Sequence, residues 1–461
     1  MAVQEEAVSR PMVGYQGYFQ RDVPDEDPEL THVGPGTAMG EYLRRFWQPV
    51  CMSEDLMDLP KAIRIMGEDL VAFRDQVDQV GVLHRHCSHR GTSLEYGIIS
   101  ERGIRCCYHG WLFDADGTIL ETPGEPPNSK LKESFSHGAY PAHEEGGLVF
   151  AYMGPSEFQP DFPKFDGYDL WDTRMKSFEV PIPCNWLQVT DNYVDPAHSQ
   201  FLHNSFASGS HQSIHFSESF GLKPYIQFFE TPDGSGITHN TTRRTTDALV
   251  WTQMNHAVTP NIGELSSAWE KGFEPVLFRR VYGTRWTVPV DDTNTIMFGW
   301  RHLNDFIDPW NTTDESQIGK NKIDFDGQTA RPSYEAGQRD PGDWEAWTGQ
   351  RPIAIHAKEN HGSTDSGVQA RRRMLRQALR GERPDLFPGG KHKNGRPIRT
   401  FSGGAVLKVP KRPDPENDWE LLGEVGRRVH NAIESGDHLL GQERQAFVEK
   451  RMTEIETELG K

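Results

Sequence analysis

Two short segments of the chain each place one thiol and one imidazole within three or four residues of each other. The first segment is Cys87-x-His89, and the second, after a gap of sixteen residues, is Cys106-x-x-His109. Thiolates suit iron–sulfur clusters and zinc, whereas imidazoles suit zinc, copper and iron. A [2Fe–2S] cluster with two cysteines on one iron and two histidines on the other needs this number of ligands. The four residues are therefore candidate cluster ligands.

A structural zinc site is the alternative for the same four residues. Zinc fingers usually pair cysteine with cysteine and histidine with histidine, whereas here each segment is mixed. Gly91, Gly110 and the flanking β-rich runs suit a cluster that is held between two hairpin tips. We therefore favour the cluster. The side chain of Cys107 should point away from that of its neighbour Cys106, so we expect Cys107 to be a packing thiol.

A second group of candidate ligands follows in the pattern Asp195-x-x-His198-x-x-x-x-His203. Residues five apart on a regular helix lie about 140° apart around its axis, so these histidines share a metal only if the helix widens or ends between them. Two histidines and one carboxylate are typical of non-haem Fe(II) oxygenases, but both histidines could also be unrelated residues of a surface helix. The carboxylate would come from further along the chain, and spacing alone does not choose among Asp340, Asp343 and Glu345.

The pattern of apolar runs and turn residues predicts the elements that hold these groups. The expected units are an N-terminal arm at 1–40, a small all-β domain at 41–155, a mixed domain at 156–410 and a charged helical extension at 411–461. The expected helices are 191–203, 363–380 and, with a break near Gly436, 419–459; the expected strands of the second domain include 241–254 and 295–300. The predicted fold class is α+β.

The composition excludes several classes of function. The 461 residues contain 49 Lys and Arg against 67 Asp and Glu, a formal charge of −18, so general nucleic-acid binding is not expected. The basic run 371–376 has an apolar stripe at helical spacing and is interpreted as a solvated helix face. No stretch approaches the roughly 18 apolar residues of a membrane span. The acidic N-terminus lacks a signal peptide, and five cysteines are too few for a disulfide framework, so a cytoplasmic protein is expected.

Both ligand patterns together resemble the oxygenase (α) component of Rieske non-haem iron aromatic-ring oxygenases. The Cys-x-His…Cys-x-x-His-Gly-Trp pattern, the run 147–155 and Asp-Asn-x-x-Asp-Pro-x-His-x₄-His occur in that family's order and spacing. Within the family the chain is more similar to the phthalate-type oxygenases and O-demethylases. The resemblance implies an all-β Rieske domain, a catalytic domain with a helix-grip (START-like) fold, and a head-to-tail homotrimer.

The resemblance also assigns roles to the candidate residues. Cys87 and Cys106 would bind one iron of the [2Fe–2S] cluster, and His89 and His109 the other. The subgroup's Asp-x-x-Ala-Trp-x-x-Gln segment begins here at Asp343, which would join His198 and His203 as ligands of a mononuclear Fe(II).

Asp195 is expected to couple the two metal sites and not to bind a metal. It lies three residues before His198, so its carboxylate is expected to accept a hydrogen bond from that imidazole. By resemblance it would also reach His109 of the partner subunit.

The implied function is a terminal oxygenase that uses O₂ to oxidise a small aromatic substrate. We find no convincing Gly-x-Gly-x-x-Gly unit, so electrons from NAD(P)H are expected through a separate reductase, with a ferredoxin as an optional further carrier. O-demethylation of an aryl methyl ether is the favoured reaction, and ring dihydroxylation of an aryl carboxylate or aryl ether is its rival. A Rieske electron carrier without a second iron is the alternative of another class. Candidates for the pocket wall are Trp186, Phe201, Phe206, Trp300 and Trp347.

Overall fold

The structure is a computed structural model that describes residues 17, 21–168, 173–203, 218–266, 273–305, 307, 314–322, 333–339, 341–383 and 397–460. The first half of the described chain is built of short strands, and the second half combines one large antiparallel sheet with helices. The predicted α+β class is therefore confirmed. None of the helices in these ranges has the length and apolarity needed to cross a bilayer.

The first unit consists of three small antiparallel sheets. Their strands are β1 (Trp47–Met52), β2 (Lys61–Ile65), β3 (Glu68–Arg74), β4 (Val80–His84), β5 (Ile98–Ile99), β6 (Ile104–Arg105), β7 (Leu112–Phe113), β8 (Ile119–Glu121), β9 (Ala139–Tyr140), β10 (Ala142–Glu145) and β11 (Leu148–Tyr152). The sheets have the orders β1-β11-β10, β2-β3-β4-β9 and β5-β6-β7-β8. The loop after β4 and the loop between β6 and β7 carry the two Cys/His segments.

One large sheet organises the second unit. Its strands are β12 (Arg174–Ile182), β13 (Tyr225–Glu230), β14 (Gly236–Arg244), β15 (Leu249–Val258), β16 (Ile262–Ser266), β17 (Val276–Asp291), β18 (Asn294–Leu303) and β19 (Gly403–Lys408). The strand order is β12-β18-β17-β16-β15-β14-β13, with β19 paired to β15 and β17, and all of these pairs are antiparallel. The predicted strand at 241–254 is in fact a hairpin, because the chain turns at 245–248 between β14 and β15.

The α-helices are α1 (Pro28–Thr31), α2 (Ala38–Leu43), α3 (Trp186–Asp191), α4 (Ser199–Leu202), α5 (Tyr334–Arg339), α6 (Asp343–Thr348), α7 (Ser366–Leu379), α8 (Pro415–Ser435) and α9 (Gly441–Leu459). The break expected near Gly436 is confirmed, since α8 ends at Ser435 and Gly436 is its C-cap. Apolar residues of α8 and α9 pack against β15 and β19 and so cover part of the large sheet.

The predicted helix over 191–203 is wrong as one continuous helix. Helix α3 ends at Asp191, 3₁₀ turns follow at Asn192–Val194 and Pro196–His198, and α4 begins at Ser199. The break has a local cause, because a residue that precedes proline is disfavoured in the α region. Asp195, which precedes Pro196, accordingly has φ −115° and ψ 77°.

The basic run on α7 is not the solvated face that its composition indicates. Arg371 is 3% exposed and its guanidinium lies 3.3 Å from Asp191 at the end of α3. Arg372 donates to both Asp191 and Glu359, and Arg376 pairs with acidic residues near the N-terminus. The ion pairs of Arg371 and Arg372 with Asp191 connect α7 to the end of α3, directly before the segment that carries the two histidines.

Candidate metal centres

The two Cys/His segments of the first unit have the same backbone conformation. In the first, the Cys87 amide donates to the Thr92 carbonyl at 2.9 Å and the Gly91 amide donates to the Cys87 carbonyl at 2.8 Å. In the second, the Cys106 amide donates to the Trp111 carbonyl at 2.8 Å, and the Gly110 amide donates to the Cys106 carbonyl at 3.0 Å. Gly91 and Gly110 both close their loops with a positive φ, of 77° and 75°, which favours glycine.

The loops face each other, with both cysteines on the inner side and both histidines on the outer side. Cys87 and Cys106 are both buried in one apolar cluster and lie within hydrogen-bonding reach of each other. The imidazoles of His89 and His109 lie at the outer side, with ring centroids 4.5 Å apart, and His89 stacks on Trp111. Burial raises the pKa of the Cys87 thiol to about 11, while the backbone amides of His89 and Arg90 donate to its sulfur and oppose that shift.

This arrangement fits a two-iron cluster better than a single zinc ion. Four ligands of one tetrahedral zinc must lie within about 4 Å of one another, given Zn–S and Zn–N bonds of about 2.3 and 2.0 Å. Among the described residues, the set that brings three ligand atoms within 4.8 Å of one another is His198, His203 and Asp343, not the Cys/His loops. A buried thiol pair opposite an imidazole pair is what a [2Fe–2S] cluster with mixed ligands requires.

Contrary to the prediction, Cys107 does not pack in the core. Its side chain is exposed, in contrast to the buried Cys106 beside it. The next residue, Tyr108, is exposed as well, so this part of the loop lies at the surface.

The second metal centre joins residues that are distant in sequence. Oδ1 of Asp343 lies 3.5 Å from Nε2 of His198 and 3.4 Å from Nε2 of His203. The two imidazoles are 5.2 Å apart between centroids and lie at 73° to each other. His198 ends the 3₁₀ turn Pro196–His198, and His203 follows the last residue of α4, so the two histidines do not lie on one regular helix, which would separate them. Asp340 lies outside the described residues.

Asp343 is positioned by the helix that it begins. Trp347 of α6 is buried among apolar residues of β12 and β18, and its carbonyl accepts a 2.8 Å hydrogen bond from Gln188 of α3. Glu345 instead closes the start of α6, since its carboxylate accepts from the Gly342 amide at 2.9 Å. Of the described carboxylates in this segment, Asp343 therefore faces the histidines and Glu345 caps the helix.

The electrostatics of the site keep Asp343 ionised. Burial by itself would raise the pKa of this carboxyl, but His203, His198 and Arg285 hold the pKa well below its usual range. The Asn192 amide nitrogen lies 3.4 Å from both Asp343 Oδ1 and His198 Nε2, so it donates a further weak contact to the carboxylate. Two imidazole nitrogens and one buried carboxylate are a donor set that fits Fe(II).

The structure corrects how Asp195 contacts His198. The backbone carbonyl of Asp195, not its carboxylate, accepts the hydrogen bond from Nδ1 of His198. The nearest carboxylate oxygen is 3.8 Å from Nδ1, and this side chain remains about one-third exposed. The 3₁₀ turn at Pro196–His198 is responsible, because it folds the ring back over the carbonyl that precedes it. The carbonyl therefore orients the imidazole, and the carboxylate remains partly exposed.

A pocket opens directly from the second centre. It encloses about 690 Å³ of space, its open mouth included, and all three candidate ligands line it. The aromatic residues of its described wall are Tyr193, Phe220 and Tyr282.

The predicted aromatic wall is wrong for each residue that the structure describes. Trp186, Trp300 and Trp347 are buried in apolar clusters instead, Phe201 is 69% exposed, and Phe206 lies outside the described residues. Several polar residues that the sequence did not single out line the pocket, among them His239, Arg243 and Arg285.

Comparisons with known proteins agree with this geometry. The family described as the Rieske [2Fe-2S] domain matches residues 46–136. The chain is 43% identical to the tert-butanol monooxygenase / tert-amyl alcohol desaturase oxygenase subunit of Aquincola tertiaricarbonis, over 96% of this chain and 97% of that protein. It is 36% identical to the phenoxybenzoate dioxygenase subunit alpha of Ectopseudomonas oleovorans, over 80% and 88%. It is 32% identical to the 5,5'-dehydrodivanillate O-demethylase oxygenase subunit of Sphingobium sp., over 78% and 82%.

Solved structures share the fold at low sequence identity. Dicamba monooxygenase bound to dicamba superposes with a TM-score of 0.55 at 18% identity, covering 74% of this chain and 98% of that one. The oxygenase of carbazole 1,9a-dioxygenase, solved in complex with ferredoxin, gives a TM-score of 0.52 at 16% identity, covering 78% and 95%.

Proposed function

Because the chain belongs to the oxygenase (α) subunits of the Rieske non-haem iron oxygenases, we propose that it oxidises a methyl carbon of its substrate, as in the O-demethylation of an aryl methyl ether. Membership makes it an oxygen-incorporating oxidoreductase with a Rieske [2Fe–2S] cluster and a mononuclear iron. The observation that carries the proposal is the pocket, which opens on the His198, His203 and Asp343 group and can hold a small substrate there.

The names of two relatives favour a methyl carbon. Every C–H bond of tert-butanol belongs to a methyl group, so a monooxygenase acting on it must oxidise a methyl carbon or the hydroxyl group. An O-demethylase also acts at a methyl carbon, which is bound to oxygen. These two proteins are 43% and 32% identical to this chain over most of their lengths, which supports the same reaction class here.

We assign the metal ligands as follows. Cys87 and Cys106 hold one iron of the cluster, His89 and His109 hold the other, and His198, His203 and Asp343 hold the mononuclear iron. The bound metals supply the electron relay and the site at which O₂ is reduced. Asp343 contributes a charge that is fixed at neutral pH, and the Asp195 carbonyl fixes the ring of His198. The pocket wall holds the substrate so that its methyl group faces this group.

The proposed reaction balances with one O₂ and two electrons. An aryl methyl ether, O₂, two electrons and two protons give a hemiacetal and water, and the hemiacetal then collapses to a phenol and formaldehyde. The electrons come from NAD(P)H through a separate reductase, with a ferredoxin as a further carrier. The complex of a fold relative with ferredoxin is consistent with such a carrier. The division of the chain at 1–40, 41–155, 156–410 and 411–461 and the homotrimer remain part of the proposal.

Asp195→Asn tests the link between the two metal sites. In the proposed trimer, the partly exposed carboxylate of Asp195 would accept a hydrogen bond from His109 of the partner subunit. The variant is expected to keep both metals and to slow electron transfer from cluster to mononuclear iron by at least about 100-fold, as measured by single-turnover oxidation of the reduced cluster. Iron binding by His198 should survive, because its Nδ1 donates to the backbone carbonyl of Asp195, which the substitution leaves in place. Oxidation at the wild-type rate would remove Asp195 from the pathway.

Product analysis tests the reaction. With methoxylated aromatic acids as substrates, we expect formaldehyde to appear in step with substrate loss and about one formaldehyde per O₂ consumed. The matched control replaces the methoxy group with hydrogen, which leaves no methyl carbon to oxidise. A cis-diol or its catechol product in place of formaldehyde would contradict the proposal. That outcome would favour ring dihydroxylation, the second candidate, which the similarity to the phenoxybenzoate dioxygenase subunit supports.

A further inference from the structure

A cluster of buried charged residues lies apart from the pocket, where segments that are distant in sequence meet the large sheet. Its centre is the carboxylate of Asp166, in the connection between β11 and β12. Three arginines converge on Oδ2 of this residue: Arg444 of α9 donates to it, and Arg280 of β17 and Arg399 lie 3.5 and 3.7 Å from it. All four residues are at most 5% exposed, and none of them is in the described lining of the pocket.

Asp166 satisfies only part of the hydrogen-bonding capacity of these arginines. Its other oxygen, Oδ1, is already engaged, since it accepts hydrogen bonds from the amide and the hydroxyl of Thr400. The buried nitrogens without a hydrogen-bond partner among the described residues are Nη1 and Nη2 of Arg280, Nη1 of Arg399, and Nε and Nη2 of Arg444. Buried polar groups are nearly always hydrogen-bonded, so this concentration of unused donors indicates a further acceptor between the arginines.

The charges of the cluster do not balance either. Arginine stays protonated in proteins, so the three guanidinium groups carry three positive charges. Burial by itself would raise the pKa of Asp166, but Arg444 and Arg280 hold the pKa below its usual value, so this carboxylate supplies one negative charge. The carboxylate of Asp437, whose Oδ1 lies 2.9 Å from Nε of Arg399, supplies a second. Within the described part of the chain one positive charge is left over, and an uncompensated charge in the interior is strongly destabilising.

Glu264 of β16 does not supply the missing negative charge. Neither oxygen of its fully buried carboxyl group accepts a hydrogen bond from the residues that the structure describes. Burial and the nearby Asp166 raise the pKa of Glu264 well above its usual value, which favours the protonated acid. His256 lies 3.6 Å from this carboxyl, and burial lowers the pKa of the imidazole to about 4, so it is neutral as well.

We propose that one small monovalent anion, of the class of chloride, binds between the guanidinium groups of Arg280, Arg399 and Arg444. The anion accepts hydrogen bonds from their unused nitrogens and cancels the remaining positive charge. Water accepts the same hydrogen bonds but carries no charge, so it would leave the cluster unbalanced. The three arginines converge on a single carboxylate oxygen, which favours one small ion over a large polyatomic anion. This site is independent of the proposed reaction.

The anion joins the C-terminal helix to the large sheet. Arg444 belongs to α9, Arg280 to β17, and Arg399 to the segment that precedes β19. Because like charges repel, three guanidinium groups oppose the packing of these elements unless negative charge lies between them. A ligand that binds only the folded state stabilises that state increasingly as its concentration rises. The thermal stability of the protein should therefore depend on chloride.

Thermal unfolding of the holoenzyme tests this dependence, with sodium chloride replacing sodium gluconate at constant ionic strength. Each tenfold rise in chloride above its dissociation constant should raise the wild-type midpoint by about 2 °C. The dependence should disappear in Arg444→Met, because removal of one cation leaves the cluster neutral. The matched control is Arg244→Met, which removes an arginine whose ion pair with Asp418 lies outside the cluster and should retain the dependence. Arg399→Met is the second cluster variant, should Arg444→Met fail to fold.

Two results of this experiment would overturn the proposal. One is a wild-type midpoint that does not change with chloride, and the other is a dependence that the folded cluster variants retain. Glu264→Gln checks the charge balance, since replacement of a neutral acid by an amide should leave the wild-type dependence in place. A chloride dependence in Glu264→Gln alone would show that an ionised Glu264 balances the arginines, and would overturn the proposal as well.

Bromide locates the ion in the wild-type protein, whether or not the variants fold. In crystals grown with sodium bromide, anomalous scattering should give one peak within hydrogen-bonding distance of both Arg280 and Arg444. Bromide peaks at the protein surface alone, with only water between the arginines, would overturn the proposal.

Discussion

Asp343→Ala is expected to abolish turnover and to remove the mononuclear iron, while the visible spectrum of the Rieske cluster stays unchanged. Asp343 supplies the carboxylate of the proposed ligand group, and its Oδ1 lies within 3.5 Å of both histidine nitrogens. Loss of a residue that only supports a ligand costs about 10-fold to 100-fold in metal affinity or activity, so loss of a ligand should cost more than about 100-fold. Iron analysis and product formation are the measurements.

Two control variants make this result specific. Asp340→Ala removes the other aspartate of the segment and should retain iron and activity. Glu345→Ala removes the carboxylate that closes the start of α6 and should cost about 1 kcal/mol of stability without loss of iron. Loss of iron in Asp340→Ala, with activity retained in Asp343→Ala, would show that the carboxylate ligand has been assigned to the wrong residue.

Cys106→Ser should bleach the visible absorption of the protein and stop electron entry. The Cys106 thiol is buried beside that of Cys87, so both belong to the inner half of the cluster site. A serine hydroxyl is a poor replacement for a thiolate on iron because soft sulfur ligands favour such clusters. The absorption spectrum and acid-labile sulfide content measure the loss.

Cys107→Ser is the matched control, since it changes the adjacent residue in the same way. The Cys107 side chain is exposed, so this variant should keep the cluster spectrum, the sulfide content and the activity. Bleaching in Cys107→Ser with an intact spectrum in Cys106→Ser would reverse the assignment of the two cysteines.

The sequence predicted those parts of the sites that local patterns determine. The two Cys/His loops form as spaced, with a glycine at the turn of each, and the helix between the two histidines ends at Leu202, just before His203, as a spacing of five requires. The all-β unit also follows from short apolar runs between turns. In each of these cases the residues that decide the conformation are neighbours in the chain.

Several features that depend on distant partners were not predicted. Arg371 occurs in a basic run that resembles a solvated helix, and only the fold brings Asp191 against it. Of the aromatic residues proposed for the pocket wall, Trp186, Trp300 and Trp347 pack in apolar clusters instead, where residues from distant parts of the chain surround them. Arg243 and Arg244 are adjacent in sequence, yet one lines the pocket and the other pairs with Asp418, since alternate residues of a strand face opposite sides.

The ratio of iron to acid-labile sulfide in the purified holoprotein tests the central claim most directly. The claim is that one chain holds a [2Fe–2S] cluster at the Cys/His loops and a further iron at His198, His203 and Asp343. It predicts about three irons and two sulfides per chain, falling to about two and two in Asp343→Ala. A wild-type protein with two irons and two sulfides would be an electron carrier, and a colourless protein containing zinc would have no cluster; either result would contradict the account.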